Sequence, residues 1–301
     1  MSAPALGAGA GGPSLGAYAT LALCGAGWGL TQPLNKVAIE SGYAPLTILV
    51  WQFALIPLVL APFALRLPRP ARRGPALAMI AFVGLVGTAI PNAASYAALS
   101  LLPSGIVSIL ISLIPVLALP MAILFGLERP AARRLLGLAV GLAGTLLLVA
   151  PGVEGAVPLR LLPLGLIAPV LYALQNTVVG RFGTGGLHPV QLMSGATLLA
   201  LPVAAAAAAA TGALRPPAAA GVPEAAAFLS ALIHAAVYTT FLALVGRAGS
   251  VFSTQVGYLV TLFGVLWAML LLGERYGIAV WGALALILAG VSLVRPRPPA
   301  A

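Results

Sequence analysis

The sequence predicts an all-α integral membrane protein, with ten transmembrane helices arranged as two inverted five-helix repeats. Three observations carry that expectation: an apolar composition, a series of span-length apolar runs, and an internal repeat. Of the 301 residues, 61% are hydrophobic and only 7% charged, and the mean hydropathy is +1.10. A water-soluble domain carries about a quarter charged residues. A chain with so few cannot cover its surface in water, so the solvent it expects is lipid. There is no aspartate, and the five acidic residues are all glutamate. The single cysteine, Cys24, excludes an internal disulfide and any multi-cysteine metal site.

The spans follow from length. A hydrocarbon layer of about 30 Å needs about 20 apolar residues at roughly 1.5 Å rise each. Punctuation at charges and at Pro and Gly clusters gives spans over 15–38, 44–65, 75–99, 103–126, 133–151, 160–181, 188–211, 223–246, 250–272 and 277–294. Residues 1–14, rich in Gly, Ala and Pro without a basic leader, read as a disordered N-terminal tail. The seventh span is the weakest, because its Ala204–Ala210 run is only marginally hydrophobic.

Charge sets the orientation. An even number of spans leaves both termini on one side. If that side is the cytoplasm, it holds Arg66, Arg69, Arg72, Arg73, Arg129, Arg133, Arg134, Arg181, Arg247, Arg295 and Arg297. Lys36, Arg160, Arg215 and Arg275 fall outside. This excess of inner basic residues is the positive-inside pattern. It predicts a multi-pass protein of a bacterial cytoplasmic (inner) membrane, both termini cytoplasmic. The same pattern accounts for the net charge of +10 without nucleic acid as a partner.

The repeat appears when the chain is slid on itself by 146 residues. Ser104–Arg129, SGIVSILISLIPVLALPMAILFGLER, then matches Ser250–Arg275, SVFSTQVGYLVTLFGVLWAMLLLGER. Glu128 falls on Glu274 and Arg129 on Arg275. Each unit holds five spans, 15–151 and 160–295, and an odd number inserts the second unit upside down. Such repeats place one site about a pseudo-two-fold axis in the membrane plane.

These segments, with WGLTQPLNK at residues 28–36 and YAALSLLPSGIVSILISLIPV across spans three and four, resemble the EamA type of the drug/metabolite transporter (DMT) superfamily. The resemblance extends over roughly residues 15–295. It implies ten helices in two inverted units and transport of small metabolites or drugs, often export, by alternating access. One departure is that Thr261 of the second unit stands where the first has Pro115.

Several residues are candidates for the pathway. Pro33, Pro91 and Pro169 each follow a glycine by four residues (Gly29, Gly87, Gly165), and Pro115 lies inside span four. Proline removes a helical hydrogen bond and clashes with the carbonyl four residues back. These four read either as kinks lining a pathway or as packing features. Polar residues spaced by four share a helix face: Asn92 and Tyr96 in span three, His234 and Tyr238 in span eight; Gln175 and Asn176 in span six, and Gln255 and Tyr258 in span nine, are further polar groups inside spans. A polar group facing lipid costs several kcal/mol, on the order of a lost hydrogen bond or more. These faces therefore read as cavity lining, or as hydrogen bonds between helices. Trp28, Gln32, Lys36 and Glu40 form one stripe on span one. Lys36, the only lysine, reads either as a pathway cation at the outer mouth or as a residue snorkelling to the interface beside Glu40.

The rival class is an integral-membrane enzyme acting on a lipid-linked substrate. Such chemistry needs clustered carboxylates, histidines or cysteines. Here the glutamates lie near span ends, and His188 and His234 are far apart in the chain. The expectation is therefore a transporter and not an enzyme, with no cofactor and no metal. Its partners are a small-molecule substrate and the lipid bilayer; a homodimer is left open.

Overall fold

The computed structural model describes residues 14–127, 129–150, 157–218, 221–248 and 256–294. Helix α1, Leu15–Glu40, starts at Ser14, whose hydroxyl accepts from the Ala17 amide at 3.3 Å. Helix α2, Pro45–Ala64, starts on a proline, which has no amide to leave unpaired. Helix α3 runs Arg73–Leu99 and α4 Ser104–Leu124. Helix α5, Ala132–Leu148, is followed by α6, Leu162–Phe182, which a short 3-10 turn precedes. Helix α7, Pro189–Ala210, has a capping box: the His188 ring accepts from the Val190 amide, and the Gln191 side chain accepts from the His188 amide. Helices α8, Val222–Ala248, α9, Val256–Leu272, and α10, Ile278–Val294, complete the described chain. The seventh expected span is thus a full helix, despite its alanine run.

Six of these helices are long and apolar enough to cross a membrane: α2, α3, α4, α6, α7 and α8. Helices α9 and α10 are apolar but shorter. Helix α1 is long but carries Thr31, Gln32, Asn35 and Lys36. Large apolar side chains also face outward, among them Leu58, Leu77, Leu146 and Leu270, the last 73% exposed. An outside this apolar fits hydrocarbon, and the protein is a multi-pass membrane protein.

Two helices depart from regular geometry. In α3 a π-turn spans Leu85–Ala89 immediately before Ile90–Pro91. Pro91 has no amide to offer the carbonyl of Gly87, and the π-turn contains that carbonyl. Helix α4 is split into Ser104–Ile111 and Ile114–Leu124, two residues short of Pro115. Helix α9, with Thr261 at the corresponding position, runs unbroken. Pro33 and Pro169 lie within the uninterrupted helices α1 and α6.

Helix α1 packs chiefly on α8 and α9, while α6 packs on α3 and α4. Helix α2 pairs with α7, and α5 with α10; α3 also meets α7, and α8 meets α2. Glycines permit the closest crossings. A Cβ on Gly29 would lie 2.7 Å from the Gly264 nitrogen and 2.9 Å from the Val260 carbonyl oxygen. One on Gly290 would lie 2.6 Å from both the Gly137 oxygen and the Gly141 nitrogen. Such small-residue contacts bring membrane helices together by dispersion, where lipid removes the hydrophobic drive for helix association. The glycines four residues before the prolines thus serve close approach. Gly29 faces α9, a methyl on Gly87 would overlap the Gln175 amide, and Gly165 faces Leu110.

The polar face of the first helix

The connections of the chain gather at two ends. At one end lie Lys36–Thr47, the α3–α4 turn, the α7–α8 connection and residues 273–277, joined by hydrogen bonds. Tyr43 donates to the Glu224 carboxylate, Thr47 to the Ala213 carbonyl, and Trp51 Nε1 to the Arg215 carbonyl at 2.9 Å. Glu274 accepts from the Ser104 amide at 2.8 Å and the Gly105 amide at 3.2 Å, so it caps α4 from the other half of the chain. A carboxylate there meets unpaired amides and the positive end of the helix dipole. Tyr276 donates to the same carboxylate; burial, and then Glu274, push its phenol well above the ordinary range. The Glu224 carboxylate likewise raises the Tyr43 phenol. At the opposite end, Gln191 Nε2 donates to the carbonyls of Ala64, Leu67 and Pro68.

Between the two ends, the polar face of α1 changes character turn by turn. Lys36, 9% exposed, donates from Nζ to the carbonyls of Leu99 at 2.5 Å and Leu102 at 3.0 Å, and lies 3.5 Å from Glu40. It ties α1 to the carbonyl end of α3, where a cation is favoured. Beside it, Asn35, Gln52 and Tyr96 close a buried triangle. Asn35 Nδ2 donates to Tyr96 Oη at 2.8 Å, Tyr96 Oη to Gln52 Oε1 at 2.5 Å, and Gln52 Nε2 to Asn35 Oδ1 at 2.8 Å. Gln52 Nε2 also reaches the Ala227 carbonyl of α8 at 3.1 Å.

One turn further in, the pairing stops. Gln32 Oε1 and Trp28 Nε1 are buried without a hydrogen-bond partner among the described residues. The Trp28 ring stands 6.1 Å from the His234 ring and 5.2 Å from the Phe241 ring of α8, centroid to centroid. An acceptor and a donor on successive turns of one face, beside aromatic rings, can hold a polar solute with a flat body.

The other candidate residues lie elsewhere. Asn92 Nδ2 donates to the Thr88 carbonyl of its own helix. Gln175 covers Gly87, whereas Asn176 is exposed. Tyr238 packs among Ile56, Leu60 and Met193, on the α2–α7 side. Tyr258 packs against the main core. Pro33, Pro91 and Pro169 are buried and Pro115 is exposed. Gln255 and Glu128 lie outside the described residues.

Sequence reasoning missed Gln52 and the capping role of Glu274. Gln52 had a signal: a lone amide in an otherwise apolar span must find a partner. For Glu274 the repeat gave the position but not the amides it meets.

Replacing Lys36 by methionine is expected to lower the stability of the detergent-solubilised protein by about 1–3 kcal/mol, since two carbonyls lose their donor. Thermal unfolding read by intrinsic fluorescence measures this. An unchanged midpoint would show that Lys36 is not a tether.

A helical membrane protein with a buried, partly unpaired polar face is the class this geometry defines. Residues 15–150 match the model of the EamA-like transporter family. A solved crystal structure aligns with 91% of this chain and 96% of its own, at a TM-score of 0.58 and 19% identity. That likeness is one of fold. No curated protein matches the chain by sequence.

Proposed function

We propose that the protein is a secondary transporter of ten spans in two inverted five-helix repeats, exporting small organic solutes across the bacterial cytoplasmic membrane by alternating access. The observation that carries this reading is the pairing of helices. Exchanging α1–α5 with α6–α10 turns the α1 contacts with α8 and α9 into the α6 contacts with α3 and α4. The same exchange maps α2–α7 and α5–α10 onto themselves and α3–α7 onto α8–α2. A pattern that survives exchange of halves supports a two-fold axis through the membrane plane. Two halves related in that way can present one site to either side.

The pathway runs along the polar face of α1, with Trp28 and Gln32 as direct substrate contacts and His234 against them. Lys36 and Tyr96 hold its outer rim. The arginine-rich loops and both termini are cytoplasmic.

A growth-protection screen of expressing cells against toxic analogues of amino acids, nucleobases and amines identifies a transported solute. Trp28→Phe then removes the indole donor and keeps a ring. Efflux of that solute is expected to fall about tenfold, equivalent to about 1.4 kcal/mol, with the unfolding midpoint within a degree or two of wild type. Equal efflux by Trp28→Phe and wild type would remove α1 from the pathway. Protection against none of the panel would count against export.

A further inference from the structure

The arginine-rich end holds a cavity of about 400 Å³ between two connections of the chain. Arg72 and Pro75 line it from the α2–α3 side, and Phe182 and the turn of residues 183–186 from the α6–α7 side. Gly183, Gly185 and Gly186 adopt φ of 74°, 68° and 79°, values that side chains resist. Gly185 is also pressed on α3: a Cβ there would lie 2.6 Å from the Pro75 oxygen. The Gly183 amide donates to the Val179 carbonyl, and the Leu187 amide and the Thr184 hydroxyl close the turn. The amides of Thr184, Gly185 and Gly186, between them, meet no acceptor among the described residues.

Among the described residues, the charge around the cavity has one sign. Arg72 lines it, Arg66, Arg69 and Arg73 belong to the same connection of the chain, and Arg181 precedes the other, its guanidinium 5.7 Å from the centre of the Phe182 ring. None has a carboxylate partner among the described residues. The described carboxylates, Glu40, Glu224 and Glu274, all belong to the opposite end. Unpaired guanidinium groups and consecutive free amides around a concave space bind tetrahedral oxyanions, because arginine meets phosphate oxygens in a two-point geometry and peptide nests supply further donors.

We propose that this cavity is a phosphate-binding site, taking the headgroup phosphate of an anionic phospholipid or a free phosphate anion. Arg72 supplies the charge-assisted contact and the 183–186 turn the amide donors. Its place at the mouth between α3 and α7 makes the occupant a brace across the two halves. The site rests on the membrane reading but not on the transport cycle, so it is tested by binding alone.

The full-length protein is placed in nanodiscs of phosphatidylcholine, with and without a fifth of phosphatidylglycerol, and its unfolding midpoint is measured. A third arm adds inorganic phosphate to the phosphatidylcholine discs. Phosphatidylglycerol is expected to raise the midpoint, with Arg72→Gln losing at least half of the rise and Arg72→Lys recovering part. Arg160→Gln, at the opposite end, is expected to keep all of it. An Arg72-dependent rise with inorganic phosphate identifies the free anion as sufficient; a rise with the lipid only identifies the headgroup. If neither gives an Arg72-dependent rise, or Arg160→Gln loses as much as Arg72→Gln, the site does not exist. Native mass spectrometry of the same variants counts bound phosphatidylglycerol, with affinity expected about tenfold weaker in Arg72→Gln.

Discussion

Gly29→Leu is expected to yield no monodisperse folded protein, and Gly29→Ala to lower stability by about 1–3 kcal/mol, the range for overpacking a tight contact. The reason lies in what a Cβ would meet. Its neighbours across the α1–α9 crossing are the Gly264 nitrogen at 2.7 Å and the Val260 carbonyl oxygen at 2.9 Å. These are backbone atoms of a helix and have no rotamer to move into. Only separation of α1 from α9 relieves the overlap, and α1 also carries the polar face. Gly257→Ala is the control on α9, because no atom lies within 4 Å of a Cβ there. Size-exclusion profiles and unfolding midpoints of the three variants decide the matter. A Gly29→Ala protein as stable as Gly257→Ala would mean that the crossing is loose.

Tyr96→Phe is the second large effect. The phenol both accepts from Asn35 and donates to Gln52, so its loss leaves a buried amide donor and a buried amide oxygen without their partner. Hydrogen bonds between membrane helices average about 0.6 kcal/mol. Stranding two buried groups at once is worse, about 2 kcal/mol, because each keeps its desolvation penalty. The combined variant Tyr96→Phe, Asn35→Leu, Gln52→Leu removes every member and is expected to recover most of that loss. If the triple variant is less stable than the single one by the sum of three independent losses, the triangle is not a unit. Efflux per folded molecule separates the two roles open to Tyr96, since a purely structural tyrosine leaves it unchanged.

The sequence carried the membrane environment and the helix positions because both follow from local composition. Apolar run length and the Gly and Pro punctuation placed α2, α3, α6 and α7 within a few residues. What composition could not convey was pairing. Lys36, Asn92 and Tyr96 were all legible as polar groups needing a partner. Whether that partner is a helix-end carbonyl, a carbonyl of the same helix or a triangle of side chains depends on which helix lies opposite. The same limit hid Gln52, whose partners come from α1, α3 and α8. The π-turn in α3 follows from Pro91, yet Pro33 and Pro169 sit in unbroken helices, so proline alone did not fix where a helix distorts.

The bonds that close one end of the molecule have a kinetic consequence. Tyr43 to Glu224, Thr47 to Ala213, Trp51 to Arg215, Gln52 to Ala227 and Glu274 to Ser104 and Gly105 all join residues of one half to the other. In the orientation proposed above, with the arginine-rich loops cytoplasmic, that end would face outward, and the two halves would part there only once these six bonds are exchanged for others. At about 0.6 kcal/mol each they bias the resting population by roughly 3–4 kcal/mol, several hundredfold, less whatever the opposite state forms in return. Under that proposed orientation the carrier would behave as a rectifier: its idle form would be sealed against the exterior, and solute arriving from inside would find the entrance already available.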